Sequence, residues 1–133
     1  MGTLVEDMVA PSAGTIAAAL FEDDPVITTA QRVRRKHPVH KGWNFEIDLL
    51  VAGERNVLMV EAKRKVTPEK IAEFLERVRE MKGFFPEYAQ HRWIAAVASV
   101  SLDASVIGYL DHQKVYGIAL GDETFQLVNR GHF

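Results

Sequence analysis

The spacing of hydrophobic and polar positions changes several times along the chain, which predicts a protein that mixes helices and strands. Between residues 4 and 21 the apolar positions recur at helical spacing and predict a helix, with Pro11 and Gly14 marking a break or kink near its middle. Residues 26–39 are rich in β-branched and basic side chains and predict a strand. That strand is expected to end at Pro38, which cannot donate a hydrogen bond to a neighbouring strand.

The clearest pattern lies in the centre of the chain, where two apolar runs cover residues 43–51 and 57–63. The segment between them, residues 52–56, is short and contains Gly53 and Asn56, which are common in turns. The two runs therefore predict a β-hairpin.

After the hairpin, helical and strand patterns alternate. Thr67 is placed to cap a helix that begins at Pro68, and Gly83 is expected to end this helix in a left-handed conformation. The nearly continuous apolar run of residues 93–100 predicts a strand that is covered on both faces.

The last part of the chain predicts one more helix and two strands. Ser101 is expected to cap a short helix through Leu110, and residues 115–120 and 124–128 have the pattern of strands. The predicted order is α-β-β-β-α-β-α-β-β. Because no loop is long or rich in Gly, Ser or Pro, we expect one α/β domain over residues 1–133, with a mixed sheet flanked by helices.

The hydrophobic pattern of the hairpin also predicts which residues face each other. A turn centred between Glu54 and Arg55 places only apolar pairs on one face, which must then lie on a core. Those pairs are Val51 with Leu58, Leu49 with Val60, and Ile47 with Ala62. The pairs on the opposite face are Leu50 with Met59, Asp48 with Glu61, and Glu46 with Lys63.

The pair formed by Asp48 and Glu61 suggests a metal site, because carboxylates placed across two strands repel each other unless a positive charge lies between them. A divalent cation supplies that charge, and carboxylate oxygens are suitable ligands for Mg²⁺ or Mn²⁺. Lys63 follows Glu61 by two residues, so its ammonium group is expected to point to the same place. The alternative is a solvated hairpin face with an ion pair between Glu46 and Lys63.

Residues 45–51, with the sequence FEIDLLV, are followed thirteen positions after Asp48 by Glu61-Ala62-Lys63. This pattern resembles the PD-(D/E)xK nuclease superfamily, which has the restriction-endonuclease-like fold, and the order of predicted elements is similar as well. The resemblance implies that Asp48 and Glu61 ligate Mg²⁺ with the help of the Ala62 carbonyl. It also implies that Lys63 positions the attacking water or helps to deprotonate it.

Two other glutamates are accessory candidates through the same resemblance. Glu6 would match a glutamate that some members carry on the first helix, although an exposed helix residue is the simpler interpretation. Glu46 matches a Glu-x-Asp variant, and Ile47 stands where the family commonly has proline. The Gln-x-x-x-Tyr element of the recombination-type exonuclease branch is absent from residues 67–82. The resemblance is therefore closer to small resolvase-like or uncharacterised prokaryotic members.

Basic residues are concentrated in two short segments, although the net charge of the chain is −2. One segment precedes the hairpin and the other follows it directly. Because clustered cations attract phosphate, we predict that these residues bind nucleic acid, with a solvated surface as the alternative. They are Arg32, Arg34, Arg35, Lys36, Lys41, Arg64 and Lys65.

The remaining composition excludes some classes of protein. The chain has no cysteine, so it has neither a disulfide framework nor a thiolate metal site. No apolar run is long enough to span a membrane, and Glu6 stands where a secretory signal would be basic, so a cytoplasmic protein is expected. His37 and His40 could bind metal or phosphate, and Trp43 could stack on a base, but we interpret the two histidines as surface residues and Trp43 as a packing residue.

These patterns lead to one main hypothesis and two alternatives. The main hypothesis is a Mg²⁺-dependent, endonuclease-like hydrolase that cleaves DNA phosphodiester bonds, with a homodimer as a possible assembly. The first alternative is a catalytically silent nucleic-acid-binding module of the same fold. The second is a protein-interaction or assembly domain whose charged hairpin face is a subunit contact.

Overall fold

The computed structural model describes residues 2–130, and side chains from residue 4 to residue 130. The elements are α1 (Gly2–Leu20), β1 (Thr28–Lys36), β2 (Asn44–Ala52), β3 (Asn56–Ala62), α2 (Pro68–Met81), a short 3-10 turn (Pro86–Tyr88), β4 (Arg92–Ala98), α3 (Ala104–Gln113), β5 (Tyr116–Leu120) and β6 (Phe125–Leu127). The predicted order of helices and strands is confirmed.

The strands form one six-stranded mixed sheet in the order β1-β2-β3-β4-β5-β6. Neighbouring strands are antiparallel from β1 to β3 and between β5 and β6, whereas β4 is parallel to both β3 and β5. Helices α2 and α3 provide the crossovers that parallel neighbours require. Helix α1 packs on one face of the sheet, and α2 and α3 pack on the other. The protein is therefore a mixed sheet flanked by helices, as the sequence pattern predicted.

Helix α1 is unbroken across Pro11, so the predicted break is wrong. The helix buries a stripe that includes Val5, Val9, Ala13 and Ala17, while Pro11 is on the exposed side. Proline removes one helical hydrogen bond, but packing of the stripe on both sides of it stabilises the helix. Among residues 2–130, no helix is both long and apolar enough to cross a bilayer.

Helix α2 begins as predicted. The Thr67 side chain accepts a hydrogen bond from the backbone N–H of Lys70 at 3.2 Å, and Pro68 occupies the first helical position. Ile71 and Phe74 are buried against the sheet. Helix α2 is therefore oriented by a capped start and an apolar face.

The predicted left-handed end of α2 at Gly83 is wrong. Among the glycines of the described chain, only Gly42 has a positive φ, at 84°. The chain leaves α2 through tight turns instead, in which the N–H groups of Gly83 and Phe84 bond to the carbonyls of Glu80 and Met81. These turns direct Phe84 into the core, where it is 4% exposed.

Helix α3 follows Asp103 rather than the predicted cap Ser101. The N–H of Leu120 donates to the carbonyl of Val100 at 3.1 Å, so the chain is still bonded to β5 just before Ser101. This bond to the sheet delays the start of the helix. The helical hydrogen bonds start two residues later, with the N–H of Ile107 donating to the carbonyl of Asp103.

The hairpin register is confirmed over four pairs, which are Leu49–Val60, Leu50–Met59, Val51–Leu58 and Ala52–Val57. Buried Asp24 holds the turn, because its carboxylate accepts the N–H groups of Glu54, Arg55 and Asn56, each at 2.9 Å. Burial alone would raise the pKa of Asp24, but these bonds and one from the Asn56 side chain lower it to about 2. Gly53 is required here, since a Cβ would lie 2.6 Å from the Asp24 carboxylate.

The odd-numbered residues of β2 do not all point to the same face of the sheet. Leu49 and Val51 pack on the side of α1, whereas Phe45 and Ile47 pack on the side of α2 and α3. Regular alternation would place all four on one side. The prediction that Ile47 shares an apolar face with Leu49 is therefore wrong, and the change of face falls at Asp48.

Candidate active site

The candidate site lies where β2 and β3 separate. Their ladder ends at the pair Leu49–Val60, so Asp48 and Glu61 are not backbone partners in the sheet. Instead, Oδ2 of Asp48 accepts the backbone N–H of Ala62 at 2.8 Å. The carboxylate of Asp48 thus lies against β3, next to Glu61.

Lys63 is close to Glu61, with Nζ 3.7 Å from Oε2 of the carboxylate. A hollow of about 210 Å³, called the site hollow below, is lined by Glu46, Asp48, Glu61, Ala62, Lys63 and Arg77. The structure therefore brings together the three residues that the sequence singled out for chemistry.

Glu61 is the most buried ionisable group of the hollow, with a side chain that is 8% exposed. Burial raises its pKa above the ordinary range, because the charged form loses water. Arg77 lowers the pKa, Asp48 raises it through its negative charge and a hydrogen bond between the carboxyl groups, and Lys63 lowers it. Glu61 therefore requires positive charge nearby in order to remain ionised.

Arg77 of α2 supplies part of that charge, and the sequence interpretation did not include it. Its guanidinium donates to Oε2 of Glu61 and to the backbone carbonyl of Glu46. It also lies over the Phe45 ring, with Cζ 5.0 Å from the centroid. Helical spacing could have revealed this residue, because Arg77 is three residues after Phe74 and four before Met81, on the inward face.

Glu6 is buried at 2% exposure, so its interpretation as an exposed helix residue is wrong. Its Oε2 accepts a hydrogen bond from Nε2 of Gln31 at 3.2 Å and lies 3.4 Å from Nε of Arg32. Burial raises the pKa of Glu6, the Gln31 hydrogen bond lowers it, and the negative charge of Asp48 raises it. Glu6 is carried by α1 and is close enough to feel the charge of Asp48.

Glu46 does not form the ion pair that the alternative interpretation required. Its Oε2 lies 3.1 Å from Nε of Arg34, directly across the β1–β2 ladder, while the ion pair of Lys63 is with Glu61. Glu46 is not opposite Lys63 because the side chains of β2 change face at Asp48. Glu46 still lines the site hollow.

Three of the predicted nucleic-acid-binding arginines have acidic partners. Arg32 contacts Asp7 at 2.8 Å, Arg34 contacts Glu46, and Arg35 makes two hydrogen bonds to Glu87, at 2.9 and 2.7 Å. Arg32 also has a φ of 50°, a backbone conformation that few non-glycine residues adopt. These ion pairs reduce the positive charge that the arginines present to solvent.

The remaining predicted cations, Lys36, Lys41, Arg64 and Lys65, are exposed and have no ion pair within residues 4–130. Two further hollows lie along β1 and β2. The middle hollow, of about 560 Å³, is lined by Arg34, Arg35, Lys36, Asn44, Phe45 and Glu46. The turn hollow, of about 350 Å³, is lined by Lys36, His37, His40, Lys41, Gly42, Trp43 and Asn44.

The three hollows share lining residues and therefore adjoin one another. Glu46 lines both the site hollow and the middle hollow, and Lys36 and Asn44 line both the middle hollow and the turn hollow. An elongated ligand that occupied the site hollow could thus follow the β1–β2 strands toward their turn.

The donors of the site hollow suit a hard divalent cation. Within the described chain no three His, Asp or Glu side chains converge on one point, so protein carboxylates alone do not enclose an ion. Mg²⁺ commonly takes only one or two carboxylates and completes its shell with water and substrate phosphate. Asp48, Glu61 and the Ala62 carbonyl would form such an open site, provided that Arg77 leaves Glu61.

Comparisons with known proteins show a distant structural likeness. No family model matches the chain, and no curated protein matches it. An XisH family protein from Nostoc punctiforme PCC 73102 is similar over 86% of this chain and 95% of its own, with 16% sequence identity and a TM-score of 0.43. A likeness at this level carries no function to the present chain, so function must be argued from its own residues.

Proposed function

We propose that this protein is a metal-dependent nuclease that hydrolyses DNA phosphodiester bonds. The observation that carries the proposal is the placement of Asp48, Glu61 and Lys63 in one hollow, at the point where β2 and β3 separate. Two carboxylates and an ammonium group side by side are suited to a divalent cation and a phosphate.

Each residue has a distinct role in this proposal. Asp48, Glu61 and the Ala62 carbonyl hold Mg²⁺ or Mn²⁺, which when bound supplies a more acidic water and neutralises charge on the phosphate. Lys63 orients the attacking water or helps to remove its proton, and its position beside Glu61 favours this role. Glu6 and Glu46 are accessory residues that adjust the negative charge of the hollow.

The charge distribution supports a nucleic acid as the substrate. Lys36 and Lys41 lie along the hollows that lead from the site, and Arg64 and Lys65 directly follow Lys63. Cations in such a row neutralise successive phosphates and release counterions. A homodimer would allow two such sites to act on two strands of a duplex.

A second candidate function is a catalytically silent nucleic-acid-binding module. The observation that favours it is the hydrogen bond from Arg77 to Oε2 of Glu61, which occupies one of the two carboxylate oxygens that a cation could use. If Arg77 never leaves, the basic surface binds nucleic acid while the site stays closed to metal.

A comparison of metal binding with cleavage tests the proposal. Mn²⁺ calorimetry and cleavage of plasmid, branched and single-stranded DNA would be measured for the wild type, Asp48→Asn and Lys63→Ala. Asp48→Asn should lose both metal binding and cleavage, because it removes a ligand charge. Lys63→Ala should retain most metal binding while cleavage falls about 100-fold or more, as expected for a positioned catalytic group.

Matched controls are available on the same chain. Asp122→Asn and Lys82→Ala make the same chemical changes at exposed positions away from the site hollow and should leave both readouts unchanged. Metal binding that is equal in the wild type and Asp48→Asn would show that the hairpin is not the site. DNA binding without cleavage in any metal would favour the silent module, and absence of DNA binding at low salt would favour an interaction domain.

A further inference from the structure

The turn between β1 and β2 carries an aromatic cluster that the proposed catalysis does not use. The rings of His40 and Trp43 are stacked, with centroids 4.2 Å apart and planes at 28°. His37 meets Trp43 edge to face, with centroids 5.4 Å apart. Trp43 is nevertheless 55% exposed, so its interpretation as a packing residue is wrong.

Hydrogen bonds hold this cluster in place. Nδ1 of His37 accepts the backbone N–H groups of Val39 and His40, at 3.1 and 3.0 Å, and the N–H of His37 donates to the carbonyl of Trp43 at 2.9 Å. The His37 ring also contacts Phe84 of the core, with centroids 5.0 Å apart. These contacts hold the rings of His37, His40 and Trp43 in one arrangement, called the platform below. Nδ1 of His37 already accepts two hydrogen bonds and is therefore unable to bind a metal.

The Trp43 indole has one stacking partner, His40, among residues 4–130. Its second face has no ring stacked on it within that part of the chain. Flat exposed aromatic surfaces of this kind bind nucleobases, because every base has a π-face. The platform is therefore matched to a planar ligand.

The charge around the platform points to a phosphate-bearing ligand. Lys36 and Lys41 line the turn hollow, and no Asp or Glu lines it. An aromatic platform flanked by cations is the combination that single-stranded nucleic acids require, with bases stacked and phosphates neutralised. A duplex offers no free base to Trp43, so the platform favours an unpaired strand.

We propose that the turn hollow binds an unpaired nucleotide, with its base stacked on Trp43 and its phosphate beside Lys36 and Lys41. This inference rests on the proposed nuclease function and names its substrate class as DNA that contains a single-stranded segment. Trp43 directly precedes β2 and lies five residues before Asp48, about 17 Å away if the chain is extended. A DNA strand would cover that distance with about five nucleotides at the duplex rise of about 3.4 Å, and with fewer if stretched.

The test is a binding titration without divalent metal, in EDTA, so that it does not depend on catalysis. Fluorescently labelled oligo-dT and a duplex of the same length would be titrated with the wild type, Trp43→Ala and Trp43→Phe. Trp43→Ala should weaken binding of oligo-dT about tenfold or more and change duplex binding little. Trp43→Phe should retain most of the affinity, because the platform persists.

Two further variants separate stacking from charge. Val39→Ala changes another exposed side chain of the same turn, which is 76% exposed, and should have no effect. Lys41→Ala should weaken the binding of both oligo-dT and the duplex, and it should reduce the slope of log K against log salt by about one.

Equal oligo-dT binding by the wild type and Trp43→Ala overturns the inference. A change of oligomeric state in Trp43→Ala with unchanged DNA binding would overturn it too, by making the turn a protein contact. The proposed nuclease fails separately, if oligo-dT binds through Trp43 but no substrate is cleaved in Mg²⁺ or Mn²⁺.

Discussion

Replacing Arg77 by alanine tests whether Glu61 depends on a compensating cation. The Glu61 side chain is 8% exposed and would lose the closest positive charge, whereas Arg77 itself is 36% exposed. Removing one partner of a fully buried ion pair costs about 3–5 kcal/mol, and exposure of Arg77 reduces this to about 1–3 kcal/mol. The unfolding entropy of a chain of this length is about 0.28 kcal/mol per kelvin, so the expected fall in Tm is about 4–11 °C.

The same variant should respond more strongly to metal. A cation that occupies the site at 100 times its Kd stabilises the folded state by about 2.7 kcal/mol, which corresponds to a rise in Tm of about 10 °C. If the cation uses the Glu61 oxygen that Arg77 occupies, Arg77 must first leave in the wild type, and this reduces the gain. Without metal, Arg77→Ala should therefore have a lower Tm than the wild type, and Mn²⁺ should raise its Tm by more than it raises that of the wild type.

The assay is thermal unfolding of the wild type and the variant in EDTA and in a series of Mn²⁺ concentrations. Arg79→Ala is the matched control, because Arg79 pairs with Glu76 on the same helix and both side chains are at least 70% exposed. It should change stability by less than about 1 kcal/mol and leave the response to metal unchanged. Equal Mn²⁺ shifts in the wild type and Arg77→Ala would refute competition between Arg77 and metal.

Two further predictions concern the elements that position the site. Thr67→Ala should destabilise the protein by about 1 kcal/mol in chemical denaturation, because the N–H of Lys70 loses its cap. Asp24→Asn should lower Tm at neutral pH, since the turn of the hairpin loses a charged acceptor for three N–H groups. The pKa of Asp24 is lowered to about 2 from 3.8, so its stabilisation is complete above pH 3.8 and is lost as the pH falls through 2. In melting curves from pH 7 to pH 2, the difference in Tm between the wild type and Asp24→Asn should therefore shrink toward the acid end.

The order of elements could be predicted because the strands and helices differ in local period. The four confirmed pairs of the hairpin lie next to its turn, where alternating apolar residues specify the register. Prediction failed farther from the turn, because Ile47 packs on the α2 side while Leu49 packs on the α1 side. That change depends on how α1 and α2 pack on the sheet, which local alternation does not report.

The sequence predicted the motif residues of the candidate site but not the residues from the helices that contact them. Asp48, Glu61 and Lys63 are close in sequence and belong to one hairpin, so its turn brings them near each other although Asp48 and Glu61 are not ladder partners. Glu6 and Arg77 come from α1 and α2, and their contacts depend on long-range packing. The inward helical position of Arg77 was visible in the sequence, but its partner Glu61 was not.

The departure of β2 from regular geometry explains why the site is where it is. In the ladder between β1 and β2, Gln31 pairs with Leu49 and Val33 pairs with Ile47. The pair between them, Arg32 with Asp48, is missing, and Arg32 has a φ of 50°. Both strands are thus irregular at the same level, so the Asp48 carboxylate can turn along the sheet and accept the Ala62 N–H.

On the other side of β3, the sheet remains regular and fixes the second half of the site. Ala62 pairs with Ala98 of the parallel strand β4, and the N–H of Lys63 donates to the Ala98 carbonyl at 2.9 Å. The last three residues of β4, residues 96–98, are buried, so this bond holds the backbone at Ala62 to the core where β2 separates from β3. The site hollow therefore lies between the regular pair of strands β3 and β4 and the irregular part of β2 that carries Asp48.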